Sequence, residues 1–228
     1  MKTLILCLLP AIAAAQPIDA NACFQARGKT DAATIEAMGR ALEDPAVMTC
    51  AAVNLRIAGA IEPLRRALEA SDDPQVRATA AREVGAFQKP ELLEPLSRAA
   101  EDENLLVAAN ALAGLSQYRD RSVVPYLSAL AKKGGMVGDM ALDRLLELDP
   151  AAALKEARAL LASAQVPDRL YAMRVIGAAG NASDLPALRK IANSHEESLS
   201  QRNRGFGFMP SINLSRAAQS AIEAIEAR

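Results

Sequence analysis

The sequence predicts an all-α solenoid, and three observations carry that prediction. A motif returns about every 30 residues. Apolar residues fall three and four apart instead of alternating. Alanine and leucine supply the apolar surface while only 3% of residues are aromatic. Periodicity of this kind places one buried stripe on each helix, and small strong helix formers let helices approach closely. The chain is 51% hydrophobic and 23% charged, a balance that excludes disorder and a membrane bundle. Its net charge of −1 points toward neither nucleic acid nor an acidic surface by bulk attraction.

In chain order, the first element is a leader. Lys2 precedes an apolar run from Leu4 to Ala15, followed by Gln16 and Pro17. A charged start, a short apolar core and Ala13-Ala14-Ala15 form a secretory signal with an A-x-A site, so the predicted cut follows Ala15. The run is too short to span a bilayer, and no later stretch reaches the ~18 apolar residues of a membrane helix. A soluble mature protein in the periplasm or outside the cell is expected. The divisions are a signal at 1–15, an N-terminal tail at 16–30 and the solenoid at 31–228.

Cys7 leaves with the signal. Cys23 and Cys50 remain, an even pair in an oxidising compartment, and a disulfide joining the tail to the first repeat is expected. Two buried thiols acting as small hydrophobes are the alternative. A lipid anchor on Cys23 is disfavoured, because Ala20-Asn21-Ala22 lacks the usual leucine and the better cleavage site lies upstream.

The repeat follows. Pro63, Pro95, Pro125 and Pro186 each open a similar helix, at separations of 32, 30 and 61 residues. The last is two periods. Proline suits a first helical turn, where its missing N–H has no partner to lose. Gly59, Gly85, Gly114 and Gly177 stand near the ends of the preceding helical patterns. Asp44-Pro45 and Asp73-Pro74 open two of those helices, 29 residues apart, and Asp102-Glu103 follows after 29 more. Each period reads as helix, loop, helix, loop. Val76, Ala80, Val84 and Phe87 make one stripe, Leu93, Leu96 and Ala100 that of its partner, and Leu105, Ala109 and Leu112 repeat the first. In the degenerate fourth repeat Met140, Ala141 and Leu145 keep a stripe, and Asp149-Pro150 ends one helix and starts the next. Asp31 to Glu43 reads as a lone second helix. Asn213 to Arg228 reads as a final cap, with Leu214, Ala218, Ala221, Ile222 and Ile225 on its stripe.

Asp73-Pro74-Gln75-Val76-Arg77, then Ala80-Ala81, Val84-Gly85, Pro90-Glu91 and Pro95-Leu96, resemble the HEAT-repeat family, in particular its short bacterial units of the phycobilisome-lyase type. The resemblance covers roughly Asp44 to Asn193. It implies an α-solenoid of about five helix pairs with terminal capping helices and a concave surface lined by the second helices. Stacking is physically required, because one helix pair cannot bury its apolar face alone.

No catalytic, cofactor-binding or metal-ligating residues are assigned. His195 is the only histidine, which leaves no H-E-x-x-H pair and, with Cys23 and Cys50 expected in a disulfide, no ordinary zinc site. No G-x-S-x-G elbow occurs. Acidic pairs such as Asp72-Asp73 and Glu101-Asp102 sit where helix N-termini need caps. Arg204-Gly205-Phe206-Gly207-Phe208 opens like an RNA-recognition octamer, but that octamer needs a strand in a sheet, and this chain has no strand-rich segment. It belongs instead to a long loop at 194–212 before the last helix, where Phe206 and Phe208 either fold over the array's end or anchor a ligand.

Charge offers one more clue. Within second-helix windows that start at or near the marker prolines, Arg65, Arg66, Arg98, Lys132, Lys133, Lys155, Arg158, Arg189 and Lys190 face only Glu69, Glu101 and Glu156. If those helices line the concave side, that side is basic and attracts acidic ligands. Cations satisfying helix C-termini are the plainer explanation. The expected function is a non-catalytic, exported protein-interaction scaffold, with Arg65, Arg66, Arg98, Arg189, Lys190, Phe206 and Phe208 as its surface and an unidentified, acidic protein as partner. Nucleic acid is not an expected partner. The alternatives are a lyase-like enzyme or its accessory subunit, which the resemblance implies, and an envelope component touching anionic lipid without spanning it.

Overall fold

In the computed structural model of the chain, residues 18–194 and 213–228 are described. The expected leader with its cut after Ala15 lies outside them. So do His195, Phe206 and Phe208, and all but Ser194 of the loop expected over 194–212.

Thirteen α-helices occur among the described residues: α1 Ala20–Gln25, α2 Ala32–Ala41, α3 Met48–Ile57, α4 Ile61–Ala70, α5 Pro74–Gly85, α6 Leu93–Ala99, α7 Leu105–Leu115, α8 Val124–Ala131, α9 Gly135–Leu148, α10 Pro150–Leu160, α11 Val166–Ala179, α12 Leu185–Ala192 and α13 Leu214–Glu226. They stack in two layers. Each odd helix packs on the next odd one from α1 to α13, and each even helix packs on the next even one from α2 to α10. The final helix closes the stack by packing on both α11 and α12. The core is one continuous apolar seam between the layers, running from Cys23 to Ile225. The architecture is an α-solenoid of five helix pairs, α3–α4 through α11–α12, flanked by α1 and α2 at one end and α13 at the other.

Local chemistry explains the elements. Asp73 accepts a hydrogen bond from the Gln75 N–H at 2.7 Å, with Pro74 in the first turn of α5. Asp31 and Asn213 cap α2 and α13 in the same manner. Short 3-10 turns at Pro90–Leu92, Arg121–Val123 and Ala182–Asp184 lead into α6, α8 and α12, so three of the marker prolines or their lead-ins fall in a tightened first turn. Asp149 both ends α9 and caps α10: its N–H donates to the Leu145 carbonyl at 2.7 Å, and its carboxylate accepts from Ala152.

Two starts differ from expectation. Asp44-Pro45 opens a turn, and α3 begins only at Met48. The cap of α7 is Asn104, which accepts from Leu106 at 3.0 Å, while Asp102 is drawn into an ion pair with Arg77. That two-residue shift rotates the helix. Its buried set is Val107, Ala108, Ala111, Leu112 and Leu115, and Leu105 stands 64% exposed instead of lining the core. In α9, Ala141, Leu142 and Leu145 are buried, but Met140 faces outward. The tail at 16–30 is also not plain coil, since α1 lies within it.

Cys23 and Cys50 form a disulfide between α1 and α3. Asn54 reinforces the joint by donating to the Cys23 carbonyl at 2.6 Å. Further along, ties span one repeat: Arg56 to Glu83, Arg77 to Asp102, Arg144 to the Tyr118 carbonyl, Tyr171 to Asp143 and Arg158 to Asp184, with partners 25 to 28 residues apart. The Arg158 guanidinium holds the Asp184 carboxyl below the usual carboxylate range, burial opposing.

The two layers differ in spacing. A Cβ built on Gly85 would lie 2.6 Å from the carbonyl carbon of Gly114, and one on Gly114 would lie 2.7 Å from the carbonyl oxygen of Ala81. The backbones of α5 and α7 therefore touch. A Cβ built on Gly177 of α11 would lie 3.1 Å from the Cα of Ala221 on α13, a looser but still close approach. Even helices are held apart by side chains, and open grooves separate α2 from α4 and α4 from α6. A stack curves toward its tighter layer, so the odd helices line the concave side. The second helices therefore do not line it, contrary to expectation. Chain order says which helix of a pair comes first, but close approach is set by glycine and alanine, and these concentrate on the first helices.

Candidate interaction surface

The repeat register defines which side chains leave the odd layer on the same face. Ala80, Ala111, Ala141 and Ala172 are equivalent core positions of α5, α7, α9 and α11, each fully buried, and Val84, Leu115, Leu145 and Ile176 repeat that burial four residues later. Counting from each alanine, the residues five before, one before and two after share a stripe on the opposite side of the helix. On α5 these are Gln75, Thr79 and Arg82. On α7 they are Leu106, Asn110 and Ala113, on α9 Met136, Met140 and Asp143, and on α11 Pro167, Tyr171 and Arg174.

The face changes character along the stack. It is polar at α5. At α7 and α9 Leu106 and Met136 are each 50% exposed and Met140 39% exposed, with Leu105 beside them. At α11 it becomes amphipathic: the Tyr171 hydroxyl donates to Asp143 at 2.7 Å, and the Arg174 guanidinium stacks 4.3 Å from the Tyr171 ring centroid while pairing with Asp143. Large exposed apolar side chains grouped on neighbouring helices mark contact surfaces.

Beside this stripe, Asp139 of α9 carries a buried Oδ1 with no hydrogen-bond partner among the described residues. Burial, then the charges of Asp168 and Asp143, push its carboxyl up to about 6 against the pull of Arg174. Asp168 is occupied elsewhere. It accepts from the Gly135 N–H at 2.9 Å and from the Ser163 hydroxyl at 2.7 Å, capping α9 across the repeat boundary where Gly134 and Gly135 turn with φ of 68° and 65°.

The cations chosen from the sequence lie on the convex, even layer and are interleaved with carboxylates. Arg65 pairs with both Glu62 and Glu69, and Glu69 also meets Arg98. Arg66 lies 4.0 Å from Glu62, and Arg189 pairs with Glu226 of α13. Lys190 shares α12 with Arg189, far along the stack from α4. Lys133 and Arg158 are likewise matched, to Glu101 and Asp184. Windows opening at the prolines overstated the basic excess: α4 starts at Ile61 and α6 at Leu93, which brings in Glu62 and Glu94. The structure thus joins Arg65 and Arg98 through Glu69 and leaves Arg189 and Lys190 apart from them. Leu106, Met136 and Met140 were missed because Leu105 and Met140 read as core. Asn104, a better cap than Asp102 for this register, was the available clue.

Among known proteins, residues 61–135 match the family model described as HEAT repeats. No curated protein matches the chain. Solved structures similar to it include human deoxyhypusine hydroxylase in complex with glycerol, at 17% identity and a TM-score of 0.39, covering 91% of this chain and 90% of that one. An engineered protein is similar at 18% identity and a TM-score of 0.43, covering 85% and 96%. A designed armadillo repeat protein in complex with the peptide (KR)4 is similar at 18% identity and a TM-score of 0.42, covering 85% and 92%.

Proposed function

From an α-solenoid whose residues 61–135 are HEAT repeats, we propose that the chain is a non-catalytic protein-interaction scaffold that works outside the cytoplasm. The observation that carries this reading is the outward stripe of the concave layer, which presents equivalent positions from four successive helices as one surface, with exposed Leu106, Met136 and Met140 at its centre. Stacked repeats offer such extended surfaces because each helix pair contacts only its neighbours and leaves one face open along the whole array. Export draws support from the leader-like start and from the Cys23–Cys50 disulfide, a bond that persists in oxidising compartments. An acidic partner is the weaker part of this reading, since Arg65, Arg98 and Arg189 already pair with Glu62, Glu69 and Glu226 on the convex side.

The test is in vivo crosslinking of the full-length chain followed by affinity purification of the envelope fraction, with N-terminal sequencing of the recovered protein. A mature chain starting at Gln16 and one protein at fixed stoichiometry, reduced by charged substitutions at Met136 and Met140, are expected. A chain that keeps Met1 and stays in the cytoplasm would overturn export. A partner set indifferent to those substitutions would overturn the concave surface as the contact.

A further inference from the structure

Resting on that scaffold reading, we propose that the α7–α9–α11 portion of the concave face binds an extended peptide segment of a partner protein carrying apolar side chains followed by a lysine or arginine. The apolar half of the argument is Leu106 of α7 and Met136 of α9, exposed at equivalent positions, with Met140 exposed one turn after Met136, where α5 carries Gln75 and Thr79. Methionine suits such a site, because its flexible, polarizable thioether adapts to different apolar partners.

The charged half comes from what borders the patch. Three carboxylates, Asp139, Asp143 and Asp168, act on one another there, and Arg174 is the cation that opposes them, which leaves the cluster negative. Arg174 is held by Asp143 and by the Tyr171 ring, and Asp168 is held by Gly135 and Ser163. Asp139 keeps an Oδ1 with no hydrogen-bond partner among the described residues, next in sequence to Met140 and three positions after Met136. Because that oxygen is buried, an arriving cation is attracted by the field of the carboxylate cluster and not by direct contact with it, and an acidic segment meets repulsion. The half-buried ring of Tyr171 with its stacked arginine forms the far wall, a pairing typical of contact centres.

Geometry sets the spacing of the segment. Neighbouring helices lie roughly 9 Å apart, which an extended chain covers in about three residues. The segment should therefore place one apolar side chain on Leu106 of α7, another about three residues later against Met136 and Met140 of α9, and the basic residue next along toward α11.

The experiment selects binders from a phage library of randomised peptides on the immobilised full-length chain. It is repeated on three variants: Met136→Ser with Met140→Ser, Asp139→Asn, and Arg66→Ser with Arg98→Ser. Each variant is first checked for an unchanged far-ultraviolet spectrum. Wild type should enrich peptides with paired apolar residues and a downstream lysine or arginine. A synthetic consensus peptide should bind the methionine double variant about tenfold more weakly or worse, lose basic preference on Asp139→Asn, and bind the convex arginine variant as well as wild type. No enrichment, enrichment of acidic peptides, or a consensus that binds the methionine variant undiminished would overturn the inference. If binding instead falls with the convex arginine variant, this site is wrong while the scaffold reading stands.

Discussion

Gly85 and Gly39 predict opposite outcomes for the same chemical change, and the contrast tests the two-layer packing directly. Replacing a helical glycine by alanine ordinarily stabilises by about 0.5–1 kcal/mol, because alanine loses less backbone freedom on folding. At Gly39 of α2 the new methyl group meets Pro63 Cβ at 3.4 Å, an ordinary contact, so Gly39→Ala should keep that gain and raise Tm by ~1–4 °C. At Gly85 the methyl group overlaps the Gly114 backbone, with the carbonyl carbon only 2.6 Å away. A backbone atom cannot swing aside as a side-chain tip can, so α5 and α7 must separate. Overpacking of this kind costs about 1–3 kcal/mol, and the backbone neighbour argues for the upper end. The clash therefore outweighs the propensity gain by about 2 kcal/mol, and Gly85→Ala should lower Tm by ~4–8 °C. Thermal unfolding followed by circular dichroism reads both variants. A Gly85→Ala protein as stable as wild type, or more so, would refute the backbone contact and the placement of the tight layer.

Three further outcomes follow from other parts of the molecule. Cys50→Ser opens a bridge between residues 27 apart, which by loop entropy removes about 3.5 kcal/mol; denaturant midpoints with and without reductant measure it, and equal wild-type values in both would count against it. Ala80→Glu forces a charge into a fully buried site and should cost at least about 3 kcal/mol, seen as protease cleavage within α5–α7; a wild-type melt would contradict the register. Asp139 gives a pH signature. Its folded pKa of about 6 lies above the ordinary 3.8, so the folded chain binds the extra proton, and the stabilisation is complete below the ordinary value and lost as pH rises through the folded one. Acidifying from about pH 7 to about pH 5 should therefore raise the Tm of wild type relative to Asp139→Asn; parallel curves for the two proteins would remove the claim.

The repeat was legible because its signals are local. Asp73-Pro74, Pro125 and Asp149-Pro150 are caps and first turns, and such residues act on the backbone within two or three positions. The helix pairs and the lone α2 and α13 followed from them. The surface was less legible because it depends on register and on layer. A cap at Asn104 instead of Asp102 turns α7 far enough to expose Leu105 and bury Val107, and α7 is so apolar that either register offers a plausible core stripe. Which layer is concave rests on Gly85 touching Gly114, a contact between residues a full repeat apart that no single helix records. The positive face is weaker than the count suggested for a related reason. Arg98 and Glu69 are one repeat apart in sequence and neighbours across a groove.

The shared aspartate between α9 and α10 has a consequence for how this array tolerates change. With Asp149 closing one helix through its N–H and starting the next through its carboxylate, the junction contains no spare residue to absorb an insertion. One added residue would turn α10 by about 100° about its axis, swinging Ala153 and Ala157 out of the seam and carrying everything beyond them out of alignment. Most joints in a repeat array can lengthen quietly. This one behaves as a fixed bracket that sets the orientation of the last third of the molecule relative to the rest.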